Sequence, residues 1–491
     1  MQRALGAYQQ HDWGESERLC RQILTAQPRH FDALHLLGAI AAQSQRTQEA
    51  VDLLSRAVAA NPNHAVARNN LGTALRNLAG FELALEHFEQ AIRLKPDYAE
   101  AHNNRGAALV DLKRYAAGLE SYQRAIDLKP DYADAYNNRG KLEEKLNHHA
   151  QAIGSYERAV EFSATHVDAH VGLGLACLGG GNLARGWAEY EWRWQKPDFA
   201  QKWYRRFPQP LWPGPAASVP GDKLLVWGEQ GLGDEILYSS MLADLIELGL
   251  ALVFETDGRM TSLYARSFPS ISVVARASPP HALTMDTSIK WQVPIASLGR
   301  WLRPDLSAFD EPGAFLVADM ERGARLRAAI QREKRDPVIG LGWQSRGLAN
   351  KSLGLLDLAP IVAIEGLTFV DLQYGDTAAQ RHNFFARHGR EIVHLPDLDL
   401  FNDLEGVAAL VGACDLVITS SSAVAHFAGA LGKTVWILLP LGEGSLWYWF
   451  RDARTSPWYP SARLFRQPQS GDWAGVVQEV AGELLAWKEA H

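Results

Sequence analysis

The stretch NNRGAALVDLKRYAAGLESYQRAIDLKPDYADAY, residues 103–136, is followed at once by NNRG, residues 137–140, where the pattern begins again. Its glycines recur at a constant spacing, and the prolines keep the same phase. Unrelated amphipathic helices would not hold phase over this length, so we interpret this part of the chain as a repeat. The phased residues are Gly38, Gly72, Gly106, Gly140 and Gly174, with Pro28, Pro62, Pro96 and Pro130.

The step from one phased glycine to the next is the period of the tetratricopeptide repeat, about 34 residues, in which each unit is a helical hairpin. We expect glycine where two helices cross closely, a large side chain in the next gap, and proline after the second helix. Four units are clear, a degraded one precedes them around 1–28, and a partial one follows around 167–198. The sequence therefore predicts an α-solenoid over residues 1–200. The large side chains in phase are Leu54, Phe88, Tyr122 and Tyr156.

Asparagine pairs recur on the first helix of successive repeats, and each pair ends two residues before the glycine of the repeat. A helical amide at a fixed position builds a ladder of donors and acceptors that can hold an extended peptide without reading its sequence. These repeats resemble those of eukaryotic O-linked N-acetylglucosamine transferases, whose asparagine ladder holds protein substrates; Asn70, Asn104 and Asn138 match that position. The alternative is that asparagine is simply common there in the repeat.

Residues 186–215 are crowded with aromatic side chains and end in a proline-glycine run over 208–221. Such density favours a packed junction that caps the last apolar face of the solenoid, with a sugar-stacking platform as the alternative. We therefore predict a junction over 201–221 between the solenoid and the next domain.

From residue 222 the pattern changes to short apolar runs, each followed by a helical segment. The first set is KLLVW, LALVFE, ISVVA and WQVPI; the second is PVIGLGW, LTFVDLQY, EIVHL, DLVIT and TVWILLP. Strands alternating with helices predict two parallel-sheet α/β domains, over 222–330 and 331–491, with the final helix packing back across the first. Ligands bind in such folds at the carboxyl ends of the strands, so we expect a cleft between the two domains.

The overall composition is that of a soluble globular protein, with 47% hydrophobic residues, 21% charged residues and a net charge of −7. This charge gives no electrostatic case for nucleic acid or an anionic membrane as a partner. Cys20, Cys177 and Cys414 lie far apart among apolar neighbours. With neither a signal peptide nor a membrane span in the pattern, we expect a cytoplasmic protein with reduced cysteines and no membrane span.

The loop GEQGLGDE, residues 228–235, follows the first predicted strand. Its glycines, which include Gly231 and Gly233, have the order G-x-x-G-x-G rather than the G-x-G-x-x-G of a dinucleotide fingerprint. We expect them to let the backbone approach a ligand closely. Asp234 and Glu235 at the start of the helix are candidates for a general base, or for a helix cap.

Two further loops follow strands of the second predicted domain. In GWQSRGLANKS, Ser345, Arg346 and Lys351 combine hydroxyl and cation, which suits phosphate oxygens; the alternative is a solvated basic loop. In LQYGD, Gln373, Tyr374 and Asp376 are able to hydrogen-bond a nucleotide base or ribose.

A serine cluster, Ser420, Ser421 and Ser422, ends a strand and begins a helix of small residues. The free backbone N–H groups at such a helix start, together with the helix dipole, make an anion site. His426 lies on the first turn of that helix and faces either phosphate or core. The sequence shows neither a G-x-S-x-G elbow nor a metal-binding motif, so we predict neither a hydrolase nor a metal site.

The segment AHFAGALG, residues 425–432, and the GLGDE loop resemble the GT-B glycosyltransferases of the heptosyltransferase family. The whole layout, which adds the repeats, GWAEYEWRW (186–194) and SPWYPSARLFRQ (456–467), is similar to bacterial tetratricopeptide glycosyltransferases, among them flagellin glycosyltransferases. The resemblance implies a GT-B fold of two Rossmann-like domains, with Asp234 as base and Lys351 on phosphate or sugar. The family motif D-T-G-x-x-H corresponds to 421–426, where Ser421 replaces the aspartate.

We therefore predict an inverting, metal-independent protein O-glycosyltransferase without a cofactor, whose donor substrate is a nucleotide-sugar. The solenoid would hold the protein acceptor, for which flagellin is a candidate. Because Ser421 departs from the family aspartate, one alternative is an inactive repeat scaffold or a protein that binds nucleotide-sugars. Another is a heptosyltransferase-like enzyme of surface polysaccharide synthesis.

Overall fold

The computed structural model describes residues 1–309, 313–332, 335–345 and 351–491. The chain forms two compact units, Met1–Gly172 and Leu173–His491. The first is an α-solenoid of tetratricopeptide hairpins, and the second is built on parallel β-sheets, which confirms the predicted combination of α and α/β.

The first unit consists of antiparallel helix pairs, and the second helix of a pair ends two residues before a phased proline, as predicted. The helices are α1 (Gln2–Gln9), α2 (Trp13–Ala26), α3 (Phe31–Gln43), α4 (Thr47–Ala60), α5 (Ala65–Asn77), α6 (Phe81–Leu94), α7 (Ala99–Asp111), α8 (Tyr115–Leu128), α9 (Ala133–Lys145) and α10 (His149–Phe162).

The phased glycines allow the two helices of a hairpin to pack closely. A Cβ atom on Gly72 would lie 2.7 Å from the ring of Phe88, and one on Gly106 would lie 2.7 Å from the ring of Tyr122. Each of these rings belongs to the second helix of the same hairpin as its glycine and is buried. The prediction that a glycine lies at each helix crossing and that a large side chain fills the adjacent gap is therefore confirmed.

The next helix, α11 (Val167–Gly179), crosses the division between the units, and the predicted solenoid limit at 200 falls well inside the second unit. It is followed by α12 (Leu183–Tyr190), a 3₁₀ turn (Glu191–Gln195) and α13 (Pro197–Trp203). The aromatic residues of this stretch pack within the second unit. Trp187 is buried and donates from Nε1 to the Arg303 carbonyl at 2.9 Å, and a Cβ on Gly299 would lie 2.3 Å from its ring.

The first sheet is parallel, with strand order β3-β2-β1-β4. Strand β1 lies in its centre and pairs Val226 with Phe254 on one side and with Val293 on the other. The elements are β1 (Lys223–Trp227), α14 (Leu232–Ser239), α15 (Leu242–Glu247), β2 (Ala251–Thr256), α16 (Thr261–Ser267), β3 (Ser272–Ala275), β4 (Ile289–Pro294) and α17 (Gly299–Leu302).

The second sheet is also parallel, with strand order β6-β5-β7-β8-β9. The predicted strand EIVHL contributes only an isolated bridge, between Val393 and Val370, and β9 was not predicted. The elements are α18 (Met320–Gln331), β5 (Val338–Gly342), α19 (Ala359–Val362), β6 (Thr368–Asp371), α20 (Ala378–His388), α21 (Leu404–Ala413), β7 (Leu416–Ser420), α22 (Ala423–Ala430), β8 (Val435–Leu439), β9 (Ala462–Arg466) and α23 (Trp473–Ala490).

Two helices lie elsewhere than the sequence suggested. The final helix, α23, packs on the second sheet and not back across the first, because Val476, Val480 and Leu484 join the apolar core beside β5 and β8. Only a short turn separates α23 from β9, so the helix returns over its own sheet. Helix α18, which falls in the predicted first domain, packs against α21 of the second sheet.

The two sheets of the second unit share one apolar core. Helix α14, which follows β1, packs directly against α22, which follows β7, and Ile236 and Phe427 belong to the same buried cluster. The loops at the carboxyl ends of β1 and β7 are thereby brought together. Cys20, Cys177 and Cys414 are each free and buried. Among the described residues, no helix is long and apolar enough to cross a membrane.

Candidate functional site

A cleft of about 580 Å³ lies in the second unit where the carboxyl ends of strands from both sheets meet. Most of the side chains that the sequence singled out line it, although they come from loops that are far apart along the chain. These are Gly231, Gly233, Asp234, Ser345, Lys351, Tyr374, Ser421, Ser422 and His426.

Asp234 lies at the start of α14, half-buried at the wall of the cleft. Its Oδ2 accepts a hydrogen bond from the Gly231 N–H at 3.2 Å. Desolvation raises the pKa of this carboxyl to about 6, against the opposing effects of the Gly231 N–H and the Lys351 charge, while Glu229 raises it further. A carboxylate with this pKa is mostly ionised at neutral pH and is still basic enough to accept a proton.

Glu235, the other predicted candidate for the base, has a structural role. Its side chain is buried, and its carboxylate accepts hydrogen bonds from the Thr256 hydroxyl and from Arg276 at 3.0 Å. Burial raises the pKa of Glu235, but its oxygens are occupied by protein donors. Glu235 is absent from the described residues that line the cleft, so its position does not support a role as base.

Two glycines of the opening loop make room for side chains of the protein. A Cβ atom on Gly228 would lie 2.0 Å from Oε2 of Glu235, and one on Gly233 would lie 2.7 Å from Cδ2 of His426. The space beside Gly228 and Gly233 is therefore filled by protein side chains, although Gly233 still lines the cleft. Gly231 reaches the cleft itself and donates its N–H to Asp234.

Lys351 supplies a buried cation to the cleft. Its side chain is 8% exposed. Burial lowers the pKa of this ammonium, whereas the charge of Asp234 raises it. Ser345 also lines the cleft, and its backbone N–H is held by the Ser352 hydroxyl at 3.1 Å. Arg346, which we grouped with them, lies outside the described residues.

The serine cluster places two of its three hydroxyls in the cleft. Ser421 accepts a hydrogen bond from the indole N–H of Trp449 at 2.8 Å. Ser422 precedes α22 and shares a hydrogen bond of 3.2 Å with Thr419. Ser420 is fully buried and is absent from the described lining of the cleft, so its predicted contact with a donor is not supported by its position. The first N–H groups of α22 and the helix dipole favour an anion at this end of the cleft.

His426 lies between the cleft and the core. Its ring stacks on Trp449, and Nδ1 is 3.0 Å from the Tyr459 hydroxyl. Burial and the charge of Lys351 lower its pKa to about 3, so the ring is neutral at physiological pH. When the Tyr459 hydroxyl donates to Nδ1, the proton resides on Nε2, the ring atom beside Gly233. The neutral ring then offers a hydrogen-bond donor at the wall of the cleft.

Gln373 and Tyr374 follow β6, but the structure places them differently. Oε1 of Gln373 accepts the backbone N–H groups of Trp343 and Gln344, at 3.1 and 2.7 Å. Its amide thus ties the loops after β5 and β6 together, and Gln373 is absent from the described lining. Tyr374 does line the cleft and remains a candidate for contact with a donor.

Sequence reasoning missed several residues of the cleft. Lys202 and Trp203 come from the end of α13, in the aromatic junction that we assigned to packing. Arg259 follows β2, pairs with Asp257 at 2.8 Å and donates to the Phe401 carbonyl at 2.8 Å. Trp203 was visible as part of an unusual aromatic run, whereas no local motif distinguishes Arg259 or Phe401.

The asparagine ladder lies in the first unit, where its amides bond to one another. Asn104 donates to Asn69 at 2.9 Å and Asn138 donates to Asn103 at 3.0 Å, so each bond joins one repeat to the next. Asn70 pairs in the same way with the ring of His35 at 3.0 Å.

The hydrogen bonds of the ladder join residues that are 35 positions apart, and this spacing explains where the ladder ends. From Asn137 it leads to Gly172, which has no side chain. Oδ1 of Asn137 is accordingly buried without a hydrogen-bond partner among the described residues. Asn70, Asn104 and Asn138 are only half-buried, so their amides remain accessible.

Comparison with known proteins identifies the repeats. Residues 1–65, 69–133 and 137–191 match the tetratricopeptide repeat family. Protein FlbA of Caulobacter vibrioides is 33% identical over an alignment of 329 residues, and the match covers 62% of this chain and 52% of that protein. The chain thus spans about half the length of this curated relative.

Several solved structures resemble part of this chain. A crystal structure of MamA shares 22% identity over 33% of this chain and 94% of that chain, with a TM-score of 0.31. TTC0263 of Thermus thermophilus, a thermophilic TPR protein, shares 21% over 36% and 97%, with a TM-score of 0.32. YrrB, described as a TPR protein with an unusual peptide-binding site, shares 20% over 34% and 86%, with a TM-score of 0.30.

Proposed function

We propose that this protein transfers a sugar from a nucleotide-activated donor to a Ser or Thr hydroxyl of a protein acceptor. In this reaction the acceptor oxygen attacks the anomeric carbon and a new C–O bond forms. The bond between that carbon and the phosphate oxygen breaks, and the nucleotide leaves with the electron pair. The hydroxyl proton passes to Asp234. Attack opposite the leaving group inverts the anomeric centre.

One observation carries the proposal: a basic carboxylate and an anion-favouring helix start line a single cleft. Asp234 has a pKa of about 6 and is half-buried, as a general base requires. The N-terminus of α22, with Ser421 and Ser422, suits the negative charge that develops on a leaving phosphate. Neither feature alone would point to group transfer.

Lys351 supports the same assignment. Its buried ammonium interacts electrostatically with both Asp234 and His426, so one positive charge acts on the base and on the first turn of α22. A cation in a water-poor site stabilises a phosphate more strongly than one in solvent. The neutral His426 adds a hydrogen-bond donor, and Tyr374 adds one for the nucleoside or sugar.

The repeats supply the acceptor-binding part of the proposal. Half-buried asparagine amides recur at one position of successive repeats, and each keeps atoms available beyond its contact with the neighbouring repeat. An extended segment of an acceptor protein is a suitable ligand for such a row. Flagellin is our first candidate acceptor, because bacterial flagellin glycosyltransferases share the layout of this sequence.

The experiment proceeds in two stages on the full chain. Thermal shift against CMP, UDP, GDP and ADP identifies the nucleotide, because a ligand that binds the folded state raises Tm in a concentration-dependent way. Intact-mass measurement of flagellin and other candidate acceptors, incubated with a sugar donor of that nucleotide, then detects transfer. We expect stabilisation by one nucleotide and a mass increase of one sugar on the acceptor.

Other outcomes separate the alternatives. Stabilisation by a nucleotide with no transfer to any protein would favour a nucleotide-sugar-binding protein. No stabilisation by any nucleotide would favour a repeat scaffold. Transfer to a lipid-linked saccharide instead of protein would favour an enzyme of surface polysaccharide synthesis.

A further inference from the structure

A buried ion pair joins the end of the repeats to the loop that carries Asp234. Arg193 lies in the 3₁₀ turn after α12, and Glu229 lies in the loop between β1 and α14. Their side chains are 1% and 0% exposed. The guanidinium forms a two-pronged contact, with Nε 3.1 Å from Oε2 and Nη2 2.8 Å from Oε1 of Glu229.

The remaining donors of Arg193 are also satisfied within the second unit. Nη2 donates to the Ser297 hydroxyl at 2.8 Å, and Nη1 donates to Glu191 at 2.6 Å. Ser297 in turn donates to Glu191 at 2.7 Å. A buried guanidinium held in this way has little freedom, and removal of one partner leaves an uncompensated charge in the interior.

A second contact reaches the next residue of the loop. The Tyr190 hydroxyl, at the end of α12, donates to Oε1 of Gln230 at 3.0 Å. Gln230 has a φ of +66°, a left-handed conformation that residues other than glycine rarely adopt. It directly precedes Gly231, whose N–H donates to Asp234. The 3₁₀ turn and α12 thus hold Glu229 and Gln230, two consecutive residues of the loop that leads to Asp234.

We propose that Arg193 and Tyr190 are positioning residues: the last tetratricopeptide hairpin fixes the loop 228–234 and thereby the orientation of Asp234 in the cleft. The role of Asp234 as base rests on the proposed function, whereas the fixing of the loop does not. A repeat that belongs by sequence to the protein-binding region would then be part of the transferase site.

The experiment measures the loop directly, by hydrogen exchange of the full chain followed by mass spectrometry of peptides that cover residues 228–237. Tyr190→Phe removes one hydroxyl, and Arg193→Lys keeps the charge but loses the two-pronged contact. Arg303→Lys is the matched control, because Arg303 is also buried and contacts Asp244 with two nitrogens, at 2.6 and 3.0 Å.

We expect Tyr190→Phe to raise exchange at the Gly231 amide about fivefold, the effect of one lost hydrogen bond, and Arg193→Lys to raise it further. Arg303→Lys should leave this peptide unchanged. Unchanged exchange in both loop variants, or an equal increase in the control, would overturn the positioning role. Tyr190→Phe keeps the ring and its packing, so the test stands even where Arg193→Lys does not fold.

Transfer assays give a readout that a purely structural role would not move. Loss of orientation predicts a lower kcat with an unchanged KM for the donor. Glu229→Gln removes a charge that raises the pKa of Asp234, so the acidic limb of the rate profile should move to lower pH. Among the described residues, the other titratable groups that interact with Asp234 are the Lys351 ammonium and the neutral hydroxyls of Tyr190, Tyr238, Tyr448 and Tyr459.

The two proposals fail separately. If the loop exchanges faster in the variants but the wild-type protein transfers no sugar, the positioning role is upheld and the transferase is rejected. Transfer by the wild type, with loop exchange and kcat unchanged in both variants, would do the reverse.

Discussion

In the part of the chain that the structure describes, a turn in which a glycine N–H donates to an aspartate three residues later occurs at two helix starts, one in the cleft and one outside it. In the first sheet region, the Gly231 N–H donates to Oδ2 of Asp234 at 3.2 Å. In the second, the Gly354 N–H donates to Oδ2 of Asp357 at 2.7 Å. Both aspartates stand three residues after a glycine in extended conformation, and both lie at the start of a helical turn.

The surroundings of the two aspartates differ. Asp357 is exposed to solvent, whereas Asp234 is half-buried and interacts with the Lys351 charge, and desolvation raises its pKa to about 6. The cap needs only a carboxylate near free N–H groups. A general base also needs burial and a neighbour that tunes its basicity. The pair thus separates what holds a helix from what the proposed chemistry requires.

The largest expected effect comes from Asp234→Asn. The amide can still cap the helix but cannot accept the proton, so transfer should fall by about 10²–10⁴-fold, measured as initial rate by intact mass. Asp357→Asn makes the same change at the other cap and should keep the wild-type rate. Equal rates for the two variants would remove Asp234 from the mechanism.

Lys351→Met is expected to have the next largest effect. It removes a buried cation from the cleft, which should reduce kcat about 10–100-fold, the contribution of a charge-assisted hydrogen bond. The Lys351 charge lowers the pKa of Asp234, so the acidic limb of the rate profile should also shift to higher pH. Lys290→Met, at a surface pair with Asp222, is the control and should change neither.

The pH dependence of the wild type should be set by Asp234. In the proposed mechanism the carboxylate form accepts the proton, so kcat/KM should fall as pH drops through about 6, by about tenfold between pH 7 and pH 5. The rate falls towards low pH because a base loses its activity when it becomes protonated. A rate that is flat over this interval, with the fold intact by circular dichroism, would contradict the assignment.

Gly231→Ala and Gly354→Ala apply one perturbation to both caps and should give the smallest difference. The added Cβ would lie 3.2 Å from Oδ2 of Asp234 in the first and 3.1 Å from Oδ2 of Asp357 in the second. Each carboxylate must shift by a few tenths of an ångström. Because alignment matters only in the cleft, we expect about a tenfold lower kcat for Gly231→Ala and no change for Gly354→Ala. A similar kcat in both would show that the position of Asp234 is uncritical.

The solenoid could be predicted from sequence because its determinants are local and repeated. The glycine and the large side chain that fills its gap, such as Gly72 and Phe88, lie in one hairpin. One repeat therefore contains the whole contact, and successive repeats confirm the phase. The alternation of strands and helices predicted the α/β region for the same reason. EIVHL is as apolar as a strand, but only Val393 reaches a neighbour, so its pattern alone was misleading.

The candidate site was only partly predictable. Asp234, Lys351, Ser421, Ser422 and His426 follow strands, so topology brings them together. The sequence could not distinguish the role of Glu235 from that of Asp234. The role of Glu235 depends on its contact with Arg276, and two strands, β2 and β3, separate these residues along the chain. Likewise, the residues next to Gly233 in the sequence do not indicate that its lack of a side chain leaves room for His426.

The division inside α11 has an evolutionary consequence. Trp187 and Tyr190, on the second helix of the last hairpin, belong to the compact unit that holds the cleft, whereas the hairpins before α11 belong to the other unit. Whole hairpin modules can therefore be gained or lost before Leu173 without changing a contact of the cleft. In the proposed transferase, the number of repeats that hold an acceptor can therefore change while the cleft stays the same. The final hairpin cannot be gained or lost in this way.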